Sequence, residues 1–239
     1  MKRAGEVSFD DGALVRALTA RAVLFDMDGV LTLNGPFHGR AWQCFAREQL
    51  ALNLAENDPR IHGGRTEEIL LALTGRVPDA EAVHACETVK EGYYRSLARG
   101  NLRPVAGLIP YLDMLAERDV PSALVTSADV INVAFVLDEI GITDRFLIKV
   151  GAEDVRRGKP DPEPYLLAAA RIGVDPACCL VHEDAPAGIK SALAAGCAVV
   201  ALTTTFPPEL LEGAGAELYV PDFAAWLTLI QAHRIRPSI

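Results

Sequence analysis

Residues 24–31 read LFDMDGVL. Asp26 and Asp28 stand at the end of an apolar run, where a carboxylate is costly to bury unless it is paired or holds a cation. Two residues apart on an extended segment, they point the same way. One can then act as nucleophile and the other as acid/base on a single substrate. Gly29 lets the chain turn sharply just beyond them. Three further clusters carry matching chemistry: the hydroxyls of Thr126 and Ser127, the lysine of Gly158-Lys159-Pro160-Asp161-Pro162, and the run His182-Glu183-Asp184. Carboxylates gathered in this way suit a hard divalent cation, and Mg²⁺ is the commonest partner where phosphate is handled. Lys159 offers compensating charge, and Thr126 a donor for a phosphate oxygen.

These clusters need a common scaffold. Near-continuous apolar, β-branched runs occur at 21–27, 121–127, 145–151, 177–184, 197–204 and 216–222, as expected of strands buried on both faces. Helical stripes at 108–119, 130–141, 162–173 and 185–196 separate several of them, and three of the four end at a glycine. The alternation predicts an α/β fold with a doubly wound parallel sheet. In such sheets ligands bind outside the carboxyl ends of the strands, which is where all four clusters fall.

One stretch breaks the alternation. Segments 38–52, 66–75 and 78–100 read as helices, with no strand between 37 and 99. Asn34-Gly35-Pro36 punctuates the start of this block, and Gly100-Asn101 with Pro104 its end. The expected organisation is a core domain, 1–33 and 104–239, with a helical cap domain, 34–103, inserted through two hinge candidates. Residues 1–20 are expected to pack a short helix on the core.

Bulk properties narrow the function. The chain has 239 residues, half of them hydrophobic, and a net charge of -9. That acidity argues against non-specific binding to nucleic acid or to an anionic membrane surface. A small anionic substrate is still compatible, because a metal ion inverts the local field. Five cysteines, two of them adjacent and none in a C-x-x-C, suggest neither a disulfide framework nor a zinc site. No long apolar stretch follows Lys2-Arg3, and no run approaches the ~18 residues of a membrane span. The expectation is a soluble, cytoplasmic protein, monomeric or weakly dimeric.

FDMDGVL, LVTS, GKPDP and VHEDAPAG, in that order, resemble the four motifs of the haloacid dehalogenase superfamily. The likeness spans about residues 23–204, and the cap follows the first motif as in the β-phosphoglucomutase-like branch. The resemblance implies that Asp26 attacks phosphorus and forms an aspartyl-phosphate. Asp28 would protonate the leaving oxygen and then activate water. Thr126 would hold the phosphate, with Ser127 and Gly29 beside it, and Lys159 would pair with the nucleophile. Mg²⁺ would sit among Asp26, the backbone carbonyl of Asp28, Glu183 and Asp184, with Asp184 the safer ligand of the acidic pair. Positioning and charge neutralisation are what phosphoryl transfer requires.

In the cap, His38-Gly39-Arg40-Ala41-Trp42 resembles the H-x-x-A-W start found in β-phosphoglucomutases. Gly63-Gly64-Arg65 resembles a loop that faces the active site in relatives, and Lys90-x-x-x-Tyr94 recurs in the same group. His38, Arg65 and Lys90 are thus candidates for substrate contact, with a solvated surface role equally open for Arg65 and Lys90. Trp42 and Tyr94 read as helix packing, His182 as a hydrogen-bonded core histidine, Cys178 and Cys179 as strand core. The small residues of 187–195 read as close packing on the sheet.

Competing motifs fail. An EF-hand would need an oxygen ligand and a glycine where Val30 and Leu31 stand. A P-loop would need a hydroxyl at Pro160 and a glycine at Glu153, and Gly213 and Gly215 lack the third glycine of a dinucleotide fingerprint. The resemblance implies a Mg²⁺-dependent phosphatase of a small phosphorylated metabolite, a sugar or polyol phosphate. A phosphomutase of the β-phosphoglucomutase type is the alternative. Ala128-Asp129 stands where some mutases carry a lysine, which favours hydrolysis. Dehalogenase and phosphonate-cleaving relatives usually lack an acid at the Asp28 position.

Overall fold

Ala22–Phe25 is buried at every position, and so are Cys179–Glu183 and Leu218–Val220. Such runs cover a sheet on both faces. The computed structural model describes residues 8–9, 11–55, 58–61 and 65–233. In chain order the elements are β1 (Ser8–Phe9), α1 (Asp11–Leu18), β2 (Ala22–Phe25), α2 (Gly35–Leu50), α3 (Thr66–Thr74), α4 (Ala80–Ala98), α5 (Leu108–Glu117), β3 (Ser122–Val125), α6 (Val130–Glu139) and β4 (Ile148–Val150). There follow α7 (Glu163–Ile172), β5 (Cys179–Glu183), α8 (Pro186–Ala194), β6 (Ala198–Leu202), α9 (Pro208–Gly213), β7 (Leu218–Val220) and α10 (Phe223–Ala232).

The sheet order is β1-β7-β6-β5-β2-β3-β4. Strands β2 to β7 run parallel, and the two-residue β1 pairs antiparallel with β7. From β2 the chain winds outward through β3 and β4, then returns to β5 on the other side. The order therefore reverses at β2 and β5, where open sheets bind ligands. Phe25 lies opposite Leu124 on β3 and His182 on β5. That register brings Asp26, Val125 and Glu183 level at the carboxyl edge. Asp26 N–H donates to His182 O at 3.0 Å and Thr126 N–H to Val150 O at 2.9 Å, so the ladder holds up to the site itself.

One face of the sheet packs Leu24, Val125 and Val181 against Tyr165, Ala168 and Ala169 of α7 and Ile189 and Ala192 of α8. The other face carries an aromatic cluster. Phe25 is 5.8 Å from Tyr111, 5.5 Å from Phe146 and 5.9 Å from Phe223, ring centre to ring centre. Burying each such ring contributes about 1.5–3 kcal/mol.

The chain divides into two units, Met1–Leu33 with Arg103–Ile239, and Asn34–Leu102. The second is helical. Pro36 in the first turn of α2 fits a helix start, and the Asp79 carboxylate caps α4 by accepting from Ala82 N–H at 2.8 Å. Trp42, Phe45, Ile61, Ile69, Leu70, Leu73 and Cys86 form its core.

α1 forms the helix expected before residue 20; residues 1–7 and 10 of that extension lie outside the described residues. Two helices, α9 and α10, lie outside the sequence expectation. α10 had a readable signal: Asp222 accepts from Ala225 N–H at 2.8 Å, just before Phe223, Trp226 and Ile230 at helical spacing. Cys179 is strand core as expected, but Cys178 closes the 3₁₀ turn Pro176–Cys178 and is only half-buried. Among the described residues no helix is long and apolar enough to cross a membrane.

Candidate active site

Lys159 knots the strand ends together. Its Nζ donates to Asp26 Oδ1 at 2.6 Å, to Glu183 Oε1 at 2.6 Å and to the Val125 carbonyl at 3.0 Å. All three N–H bonds of the ammonium are thereby used. The side chain is 8% exposed, and desolvation works against its charge, yet Asp26 and Glu183 outweigh that and raise its pKa. Asp26 is pushed well above the usual carboxylate range by burial. Lys159 opposes the shift, and Glu183, Asp184 and Asp28 add to it. Burial, then Glu183, pushes Asp184 up to about 7, with the Thr205 hydroxyl opposing.

This charge pattern asks for a cation. Asp26, Glu183 and Asp184 each place a carboxylate oxygen within 4.8 Å of the others, a hard oxygen donor set of the kind Mg²⁺ takes. The backbone is shaped to keep the carboxylates there. Gly29 has φ +80°, and a Cβ on it would lie 1.9 Å from Asp184 Oδ2. A Cβ on Gly188 would lie 1.8 Å from Glu183 Oε1. The small residues of α8 thus serve the site as well as the packing expected of them, because Gly188 makes room for Glu183.

Thr126 is buried, and its Oγ1 accepts from Ala128 N–H at 3.1 Å, which leaves its own proton to donate. Ser127 is exposed at the next position, and Asp28 is half-buried beyond β2. Three residues outside the sequence expectation support the machinery. Tyr165 donates its hydroxyl proton to Glu183 Oε1 at 2.6 Å. Thr204 Oγ1 donates to Gly29 O at 2.6 Å, and Thr205 bonds the Asp184 carboxylate. The threonines had a signal, since they follow the end of β6 at the sheet edge that carries the other clusters. His182 points to the opposite face. Its Nε2 lies 3.0 Å from Tyr111 Oη, and burial lowers its pKa to about 3, as befits a neutral core histidine.

In the helical unit, Lys90 is not a solvated surface residue but only 7% exposed. Its Nζ lies 2.8 Å from His38 Nδ1, 2.6 Å from Glu91 Oε1 and 5.6 Å from the Trp42 ring centre. Burial, and then Lys90, hold His38 well below its usual pKa. A neutral imidazole that accepts from Lys90 at Nδ1 carries its proton on Nε2. The His38 ring stacks on Tyr94 at 3.8 Å, and Tyr94 Oη accepts from Asn34 Nδ2 at 2.8 Å. Trp42 and Tyr94 are buried among these helices, as expected. Arg65 is exposed at the start of α3, where its N–H donates to Glu68 at 3.1 Å. Gly63 and Gly64 lie outside the described residues.

Comparison with known proteins agrees with this geometry. The haloacid dehalogenase-like hydrolase family model matches residues 20–196. Hexitol phosphatase A of Escherichia coli is 33% identical over 195 residues, covering 77% of this chain and 84% of that protein. Beta-phosphoglucomutase of Bacillus subtilis is 30% identical over 235 residues, covering 92% and 99%. A crystal structure of a HAD hydrolase, family IA, variant 3, from Entamoeba histolytica superposes with a TM-score of 0.80 at 27% identity, covering 88% of this chain and 99% of that one.

Proposed function

The chain belongs to the haloacid dehalogenase-like hydrolases, and from that premise we propose that it is a Mg²⁺-dependent phosphatase of a sugar or polyol phosphate. The observation that carries the reading is the Lys159 ammonium, held between Asp26 and Glu183 at the carboxyl edge of the sheet. Asp26 attacks phosphorus and becomes an aspartyl-phosphate. Asp28 gives a proton to the departing alcohol oxygen, then takes one from the water that hydrolyses the intermediate. Lys159 fixes Asp26 at Oδ1, and Thr126 donates to a phosphate oxygen, with Ser127 and the Gly29 turn beside it. Asp26, Glu183, Asp184 and the Asp28 carbonyl would hold Mg²⁺. When bound, the ion neutralises charge on the carboxylates and on the phosphoryl oxygens.

The hexitol phosphatase relative supports a phosphorylated polyol or sugar as substrate. His38, Lys90 and Arg65 are the proposed residues of substrate choice. The buried pair of His38 and Lys90, 2.8 Å apart, is polar chemistry of the kind that selects among sugar hydroxyls. The second reading, a phosphomutase, is favoured by the full-length likeness to a beta-phosphoglucomutase. The absence of a lysine at Ala128-Asp129 favours water as the acceptor.

The test is phosphate release with Mg²⁺ across hexitol, hexose and glycerol phosphates, including glucose 1-phosphate with its bisphosphate. Release that saturates with one polyol or sugar phosphate is the expected outcome. Isomerisation of glucose 1-phosphate without net release would establish the mutase instead.

A further inference from the structure

Tyr165 is fully buried on α7, in a core otherwise built largely of alanine, valine and leucine. Packing alone would be met by phenylalanine, and a buried hydroxyl is destabilising unless it is bonded. Its acceptor is specific. The hydroxyl donates to Glu183 Oε1 at 2.6 Å, the same oxygen that receives Lys159 at 2.6 Å. The face of its ring lies 5.0 Å from Lys159 Nζ, within range of a cation–π contact. The other carboxylate oxygen, Oε2, accepts from Asp184 N–H at 3.2 Å and Ala185 N–H at 3.4 Å. Glu183 is thus held at both ends, and Tyr165 is its one neutral side-chain donor among the described residues.

We propose that Tyr165 is a positioning residue for the acidic site. Its hydroxyl orients Glu183, and its ring backs the Lys159 ammonium that in turn fixes Asp26. The inference rests on the phosphatase reading above, but its test separates the two. α7 begins directly after the Lys159 loop, so this one helix carries the residue that touches both the ammonium and one of its two carboxylate partners, Glu183.

Tyr165→Phe keeps the ring and removes the hydroxyl, whereas Tyr165→Leu removes both. Mg²⁺ is titrated calorimetrically into metal-free wild type and each variant, and kcat and KM are measured with p-nitrophenyl phosphate. Removing an outer partner of a metal ligand typically costs about 10–100-fold in metal affinity or activity. Tyr165→Phe is therefore expected to weaken Mg²⁺ binding about tenfold or more and to lower kcat by a similar factor. KM and the melting temperature of the metal-free protein should stay close to wild type. Tyr165→Leu should lose more of both. Mg²⁺ affinity and kcat unchanged in Tyr165→Phe would overturn the proposal, whether or not its melting temperature fell. A wild type that binds Mg²⁺ but releases phosphate from no substrate would defeat the phosphatase reading, and the calorimetric comparison would still decide the role of Tyr165.

Discussion

Asp184 carries the clearest pH signature at the scale of single residues. Its carboxyl is raised from 3.8 to about 7, chiefly by burial. Between those values the folded protein holds a proton that the unfolded chain has lost. The stability it contributes is full below the lower value and is lost as pH rises through the higher one. Mg²⁺ needs the ionised form and must displace that proton in mild acid. The rise in melting temperature on adding Mg²⁺ should therefore be larger at about pH 8 than at about pH 5. A rise independent of pH would contradict this. Gly29 gives a second prediction. In Gly29→Ala the new Cβ meets Asp184 Oδ2 at 1.9 Å with φ at +80°, so about 1–3 kcal/mol of stability should be lost. Urea unfolding measures that loss, and stability equal to wild type would remove the steric argument. Asp26, Lys159 and Asp184 could be proposed from the sequence because acids at the ends of apolar strands and a lysine in a following loop fall at one edge of a parallel sheet, and the structure brings Lys159 onto Asp26 there. Tyr165 was not legible, because a tyrosine that braces a carboxylate has the same helical spacing as one that only packs. Lys90 was not, because its burial depends on His38, on a different helix.

Among the elements, β5 divides its work between two faces. Glu183 points to the site, and His182 points into the aromatic cluster of Phe25, Tyr111, Phe223 and Trp226. Burial lowers His182 from 6.5 to about 3. In that window the unfolded chain binds a proton that the folded one refuses, so the stability is present above the upper value and falls as pH drops through it. His182→Phe should flatten the acid side of the stability curve, read from urea unfolding at a series of pH values. An unchanged slope would show that other groups govern acid unfolding. The strands β2 to β7 and helices α5 to α8 were legible because each shows a buried apolar run or stripe bounded by turn residues. β1 was not, since two residues carry no period.

For the whole molecule, the two units have separate cores, and each holds one of the two tryptophans: Trp42 in Asn34–Leu102 and Trp226 in the α/β unit. Asp26, Glu183 and Asp184 all belong to the α/β unit. A ligand stabilises the unit that binds it. Fluorescence of Trp42→Phe, which reports on Trp226, should show a larger Mg²⁺-dependent shift in unfolding midpoint than Trp226→Phe, which reports on Trp42. Equal shifts would mean that the chain unfolds as a single cooperative body. The helical unit Asn34–Leu102 begins and ends beside the turn residues Asn34-Gly35-Pro36 and Gly100-Asn101. Which cap residues turn inward depends on contacts between helices far apart in sequence.

The central claim is that Asp26 takes the phosphoryl group and Asp28 moves the proton. It is tested most directly by acid-quenching the enzyme during turnover of a phosphate-labelled substrate with Mg²⁺ and locating the label by peptide mass. The expected result is a phosphoryl group on Asp26 and no label in Asp26→Asn; with p-nitrophenyl phosphate, whose leaving group needs no proton, the label should accumulate further in Asp28→Asn as hydrolysis slows. Phosphate release by Asp26→Asn at the wild-type rate, or label on any other residue, would contradict it.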